Sequence, residues 1–234
     1  MVIPEQRLQQ KASGFFMRQE RVNQVDESKK AILKMKIEKT MRHLEHNQMQ
    51  AFYVETKEEV IPKLKELLKE GETVAVGGSV TLDECGVLDF LREGRYNFLD
   101  RYAEGLSREE TMEIFRQSFL ADTYLGSANA LTEKGEIYNV DGNGNRIAAY
   151  AFGPKSVIFV CGYNKIVKDL DSAVHRVKEI AAPANCVRLK IDSACSKTGA
   201  CMSCNHEICC DYLVQAYQRQ KDRIKVILVG EELG

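Results

Sequence analysis

Four consecutive β-forming residues, Val157-Ile158-Phe159-Val160, stand in the sequence with no polar residue among them. A strand that alternates apolar and polar residues shows one face to water, whereas a strand apolar on both faces has to be covered on both. Such a run belongs inside a parallel sheet, and parallel neighbours are joined by crossovers, usually helical. The chain is punctuated to match. Thr73-Val74-Ala75-Val76, Asn97-Phe98-Leu99, Tyr124-Leu125, Glu136–Val140 and Lys225–Val229 are further β-type runs, and amphipathic stretches cover Leu82–Arg92, Arg108–Leu120 and Asp169–Ala181. Thr81, with Glu84 three residues on, predicts a capping box for the first of these helices, and Pro183 predicts the end of the last. The expected fold is α/β: an open, mostly parallel sheet with helices on both faces.

Ahead of that pattern, residues 18–49 place Ile32, Leu33, Met35, Ile37, Met41 and Leu44 at helical spacing, uninterrupted by Pro or Gly. They predict an N-terminal helical extension over residues 1–50 that packs on the main domain or on a second copy, which makes a homodimer an expectation. Residues 51–234 then form the α/β domain. A hydrophobic fraction of 44% suffices for its core. Lys plus Arg (33) against Asp plus Glu (34) leaves no basic field for nucleic acid. No apolar run is long enough to span a bilayer, and the first residues carry no apolar leader, so a cytoplasmic location without membrane attachment is expected.

In parallel sheets, ligands bind beyond the carboxyl ends of the strands, and four polar loops are expected there. Gly77-Gly78-Ser79 follows a strand and precedes a helix, where free N–H groups approach an anion or simply close a tight turn. Asp122 and the run Ser127-Ala128-Asn129 flank the Tyr124-Leu125 strand. Asp141-Gly142-Asn143-Gly144-Asn145-Arg146 reads most simply as a hairpin turn, and Arg146 at its end is a fork for a carboxylate or phosphate. Gly162-Tyr163-Asn164-Lys165 leaves the buried strand directly, which brings Asn164 and Lys165 to its carboxyl end. Together these loops predict a pocket for a small anion.

Five of the eight cysteines fall between residues 195 and 210: Cys195, Cys201, Cys204, Cys209 and Cys210, with His206 among them. In a chain of this size in a reducing compartment, clustered thiols are metal ligands or redox groups more often than disulfides. The Cys201-x2-Cys204 pair can converge on one ion, with Cys195 and Cys209 completing a tetrahedron and Cys210 or His206 as substitutes. Zinc and an iron–sulfur cluster both suit these ligands; a Cys201/Cys204 dithiol and plain reduced thiols are the alternatives. Cys85, Cys161 and Cys186 sit in apolar surroundings and read as core residues.

Several of these motifs, taken in order, resemble the LUD-domain (lactate utilisation, DUF162) family. They are Gly77-Gly78-Ser79-Val80-Thr81-Leu82, Ala121-Asp122 with Tyr124–Ala130, Asn139–Arg146, Gly153-Pro154-Lys155, Gly162 with Asn164-Lys165, Ala181-Ala182-Pro183 and the Cys201-x2-Cys204 segment. The resemblance implies a fold similar to the sugar-isomerase and CoA-transferase superfamily. It also implies a role in lactate utilisation beside an iron–sulfur partner subunit. By similarity to ribose-phosphate isomerase relatives, it makes Asp122 a candidate acid/base. Two functions follow as expectations: an accessory subunit that binds a small carboxylate or phosphorylated anion, and a free-standing sugar-phosphate isomerase-like enzyme using Asp122. A metal-stabilised binding protein without catalysis is a third.

Overall fold

The computed structural model describes residues 27–202, 204 and 208–234. Residues 1–26 of the expected helical extension, and His206, lie outside the described residues. The chain divides into two compact units, Met1–Glu38 and Lys39–Gly234. In the first, residues 27–38 are helical. The second opens with a helical stretch at residues 39–46, α1.

The second unit is built on a six-stranded sheet whose strands are all parallel. Its members are β1 (Gln50–Val54), β2 (Thr73–Val76), β3 (Asn97–Leu99), β4 (Thr123–Gly126), β7 (Ser156–Gly162) and β10 (Ile224–Val229), in spatial order β1-β10-β7-β4-β2-β3. The four-residue apolar run of β7 lies between β4 and β10, where both faces are covered. Val74, Val76, Leu125, Ile158, Val160, Ile227 and Val229 face one layer of helices: α2 (Val60–Leu67), α3 (Val80–Glu84) and α4 (Val87–Arg92). The alternate residues Tyr124 and Phe159 face the other side. There Tyr150 of α6 (Asn145–Ala151) sits between them, with ring centroids 5.6 and 4.6 Å away. The period of two along each strand thus supplies two apolar faces. A second, mixed sheet of β8 (Ile166–Val167), β5 (Ala130–Thr132), β6 (Ile137–Asp141) and β9 (Asp211–Gln215) stands beside the first.

Three local expectations are corrected. The helix after β2 is capped by Ser79, whose Oγ accepts the Leu82 N–H at 3.3 Å, and not by a Thr81–Glu84 box. It also breaks at Cys85-Gly86, where Gly86 takes a left-handed conformation, before α4 begins. Pro183 does not end its helix. After α7 (Leu170–Arg176), a π-helical turn at Val177–Ala181 shifts the hydrogen-bond register, and α8 (Ala182–Arg188) continues with Pro183 in its first turn, where no N–H is needed. The Asp141–Arg146 loop is a strand-to-helix turn and not a hairpin. Gly144, at φ 71°, is the left-handed N-cap of α6, and a Cβ there would lie 3.1 Å from Asp211 Oδ2.

Candidate functional site

The strand order marks the candidate edge. From β2 the chain moves outward to β3, and from there it returns to β4 on the opposite side of β2. The carboxyl ends of β2 and β4 are therefore a topological switch point, the place where open α/β sheets bind their ligands. Gly77–Ser79 leaves from one of these ends and Ser127–Asn129 from the other. The Gly77 N–H still donates to Leu125 O at 2.8 Å, so the loop starts in register with its neighbour.

Lys165 reaches this edge from the 3-10 turn Tyr163–Lys165 that follows β7. Its ammonium donates to Thr81 Oγ1 at 2.6 Å and to Ser127 Oγ at 2.8 Å. The residue is 5% exposed. Among the described residues no carboxylate forms a salt bridge with it, and burial holds its pKa down at about 8. An ammonium has three donors, and two of them are spent here on neutral hydroxyls.

Arg146 approaches the same turn at Gly77-Gly78. Its Nη1 donates to Gly78 O at 3.4 Å and its Nη2 to Val140 O at 2.8 Å, while Nε pairs with Asp141 Oδ1 at 3.1 Å. Asp141 also accepts the backbone N–H groups of Gly142 and Arg146. The acid is thus the positioner of the guanidinium. A Cβ on Gly77 would lie 3.1 Å from Arg146 Cδ and 3.2 Å from Tyr124 Oη, which is why glycine stands at that point.

Arg101, two residues beyond β3, is a member that the motifs did not reveal. Its guanidinium carbon lies 4.3 Å from the Phe115 ring centroid and 5.2 Å from that of Tyr102. Its Nη1 is 3.7 Å from the position of a Gly78 Cβ, and its buried Nε has no hydrogen-bond partner among the described residues. Its place just after a strand at this edge is the signal that could have found it.

The other expected residues divide. Ser79 caps α3, and Ser127 holds Lys165. Asn129 braces the second sheet: its Oδ1 accepts from Val140 N at 2.9 Å, and its own N–H donates to Asn139 Oδ1. Asn164 is committed to the last residues, where its Oδ1 accepts the Leu233 N–H and its Nδ2 donates to Leu233 O. Gly142 lies against the Ile208 backbone, while Gly144 and Asn145 start α6. Asp122 is not at this edge. It precedes β4, at the amino end of the sheet, where its carboxylate accepts from Lys155 Nζ at 2.7 Å and from Thr73 N at 2.9 Å. That ion pair holds its carboxyl below the usual range. As the length of β4 separates it from Lys165, it cannot move a proton on a ligand bound there.

The cysteines gather only in part. Cys195 sits in α9 (Ala194–Thr198) and is buried; Cys204 and Cys209 are half-buried, and Cys201 and Cys210 are exposed. None of the eight is in a disulfide. Burial and the nearby thiols of Cys186, Cys201, Cys204 and Cys195 push the Cys209 thiol up to about 11. Among the described residues, no three His, Cys, Asp or Glu side chains stand in an arrangement ready to hold a metal ion. Among the described residues, no helix is long and apolar enough to cross a membrane.

Among solved structures, the chain is similar to a DUF162 family protein from Deinococcus radiodurans, at 17% identity and a TM-score of 0.48, over 86% of this chain and 98% of that one. It is also similar to eIF2B beta from Chaetomium thermophilum, at 15% identity and a TM-score of 0.34, over 50% of this chain and 44% of that one. No curated protein matches it. The model of the LUD domain matches residues 37–229, and the chain therefore belongs to the LUD-domain family.

Proposed function

We propose that this LUD-domain protein binds a small carboxylate or phosphorylated anion at the carboxyl edge of its parallel sheet, with Lys165 as the charge that holds it. The observation that carries the reading is a buried ammonium whose hydrogen-bond partners among the described residues are two hydroxyls and no carboxylate. A buried charge without an ion-pair partner is costly, and a bound anion is the natural compensation. Arg101, with a buried donor unspent, and the Gly77–Ser79 turn extend the polar surface around it.

In this reading the protein is an accessory subunit in lactate utilisation. Its cysteine-rich segment, residues 195–210, carries a metal through Cys195, Cys201, Cys204 and Cys209, as zinc or as an iron–sulfur cluster, and docks an iron–sulfur redox partner. Thiolate ligands suit both. Thiols without disulfides suit a reducing compartment such as the cytoplasm. The isomerase-like alternative loses its proposed acid/base with the placement of Asp122.

Calorimetric titration of the full chain with inorganic phosphate, L-lactate and pyruvate tests the anion site. At least one of them binds, and Lys165→Met weakens that binding by about 10- to 100-fold, the worth of a charge-assisted hydrogen bond. If none binds, or if Lys165→Met binds as tightly as the native protein, the reading fails.

A further inference from the structure

The segment after β10, Glu231-Glu232-Leu233-Gly234, lies outside both sheets and crosses over Lys165. Gly234 has a φ of 70°, and a Cβ built on it would lie 2.5 Å from Thr81 Oγ1 and 3.0 Å from Lys165 Nζ. Glycine tolerates both the left-handed conformation and the close approach. The Gly234 backbone is therefore packed against the ammonium and against one of its two hydroxyl partners, and Lys165 beneath it is 5% exposed. A carboxylate or phosphate oxygen hydrogen-bonded to the ammonium stands about 2.8 Å from it, and the rest of the anion needs the space beyond. Gly234 occupies space of that kind.

The segment is fastened to the same turn that presents Lys165. Tyr163 donates its N–H to Glu231 O at 3.2 Å and its hydroxyl to Glu232 Oε1 at 2.9 Å. Asn164 accepts the Leu233 N–H at 3.2 Å and donates to Leu233 O at 3.4 Å. Beyond the turn, Gly234 N–H donates to Glu84 Oε2 at 2.8 Å. The Tyr163–Glu232 and Gly234–Glu84 bonds are exposed, so water replaces them at small net cost. Leu233 is the apolar anchor: it is 4% exposed and belongs to the buried cluster of Leu82, Cys85 and Val229. A short segment without strand pairing, held by one buried side chain and a few hydrogen bonds, can open while the sheet stays intact. Glu231 and Glu232 also give it the charge of the ligand, so segment and anion compete for the cation in sign as well as in space.

We infer that residues 231–234 are a strap that closes the Lys165 site and lifts to admit the anion. The inference rests on the anion reading above and adds its regulation. Only the open form binds, so the observed affinity is the intrinsic affinity reduced by the fraction of molecules that are open. Anything that loosens the strap therefore tightens binding, and a bound anion holds the strap open.

The test is calorimetric titration of the native protein and Leu233→Ala with inorganic phosphate, L-lactate and pyruvate. Truncating the anchor raises the open fraction and should tighten binding by about tenfold or more. A second measurement needs no variant: amide hydrogen exchange of the native protein, with and without a saturating concentration of whichever of the three anions binds. The Leu233 and Gly234 N–H groups, bonded to Asn164 and Glu84 in the closed form, should exchange about tenfold faster or more in the liganded protein. Unchanged affinity in Leu233→Ala that retains the native circular dichroism, or exchange at these two amides that the anion leaves unchanged or slows, overturns the strap and leaves the anion reading standing. No binding of any of the three by either protein overturns the anion reading itself.

Discussion

Replacing Lys165 by methionine should stabilise the unliganded protein at neutral pH, although it deletes two hydrogen bonds. In the unfolded chain this ammonium keeps its proton up to about pH 10.5, while in the folded protein burial lowers that limit to about 8. Between those values the unfolded state binds more protons, so stability rises with pH; below about 8 both states are charged and the full cost is present. At about 1.4 kcal/mol for each tenfold change in proton affinity, the cost at pH 7 is roughly 3 kcal/mol. The hydrogen bonds to Thr81 and Ser127 return about 1 kcal/mol each when intact. Lys165→Met should therefore be more stable than the native protein by about 1 kcal/mol at pH 7. That advantage should shrink by about 1 kcal/mol by pH 9 and by about 3 kcal/mol by pH 10.5, where the variant becomes the less stable of the two. The assay is urea denaturation of both proteins across this range, read as the difference at each pH. Subtraction largely cancels other alkaline groups such as Cys85, whose thiol is pushed up to about 11. Saturating phosphate should flatten the native protein's slope, because an anion beside the ammonium keeps it charged. Parallel pH profiles for variant and native protein would refute the reasoning, since they would mean that Lys165 is not a strained cation.

Three further substitutions follow from the geometry. Gly126→Ala would set a methyl 2.1 Å from Tyr150 Oη and 2.8 Å from its ring, and should cost about 1–3 kcal/mol or more of overpacking in urea denaturation. Arg146→Met strips the partner from Asp141, whose side chain is only 8% exposed; the stranded carboxylate should cost about 3 kcal/mol or more, measured the same way. Asp122→Asn should leave phosphate affinity unchanged in calorimetry. Its pair with the exposed Lys155 is solvent-screened and contributes little to stability. Because the carboxyl pKa is lowered, that contribution is present at neutral pH and disappears as the pH falls below about 3.8 through the folded value.

The parallel sheet was legible because its signal is local: β7, β2, β3 and β10 are short apolar runs between amphipathic stretches, and each appears within two residues of its expected bounds. What escaped depended on partners distant in sequence. β9 is Asp211–Gln215, with Tyr212 and Val214 exposed, and is a strand because it pairs with β6 and not because its residues demand it. The helix after Gly144 was hidden because Asp-Gly-Asn-Gly suits a hairpin equally well. Gly77, Gly78 and Lys165 were found at the candidate edge because glycine after a strand and lysine after a buried strand each have a mechanical reason to be there. Asp122 entered the candidate site by resemblance, although it precedes its strand in sequence, and Thr73 N–H with Lys155 holds it at the amino edge. Cys186 was read as core, and it is buried there, its Sγ 3.4 Å from that of Cys195.

Asp141 joins the two regions. Its carboxylate fixes Arg146 against Gly78 O, while its backbone carbonyl accepts the Cys210 N–H at 3.0 Å and the adjacent Gly142 lies against Ile208. The end of the cysteine segment is therefore hydrogen-bonded to the residue that orients one of the cations at the sheet edge. A metal bound at that segment, as proposed above, would restrain the Asp141 backbone, and a restrained backbone holds the carboxylate and the guanidinium more tightly. On that reading, removal of the proposed metal should reach the proposed anion site through Asp141, as a lower affinity for phosphate in chelator-treated protein. Lys165 sits on a different turn and should keep the pH dependence of stability described above. An effect of chelator on both would place the coupling elsewhere, in the packing of β6 on β9, and an effect on neither would show that the Cys210–Asp141 hydrogen bond transmits nothing.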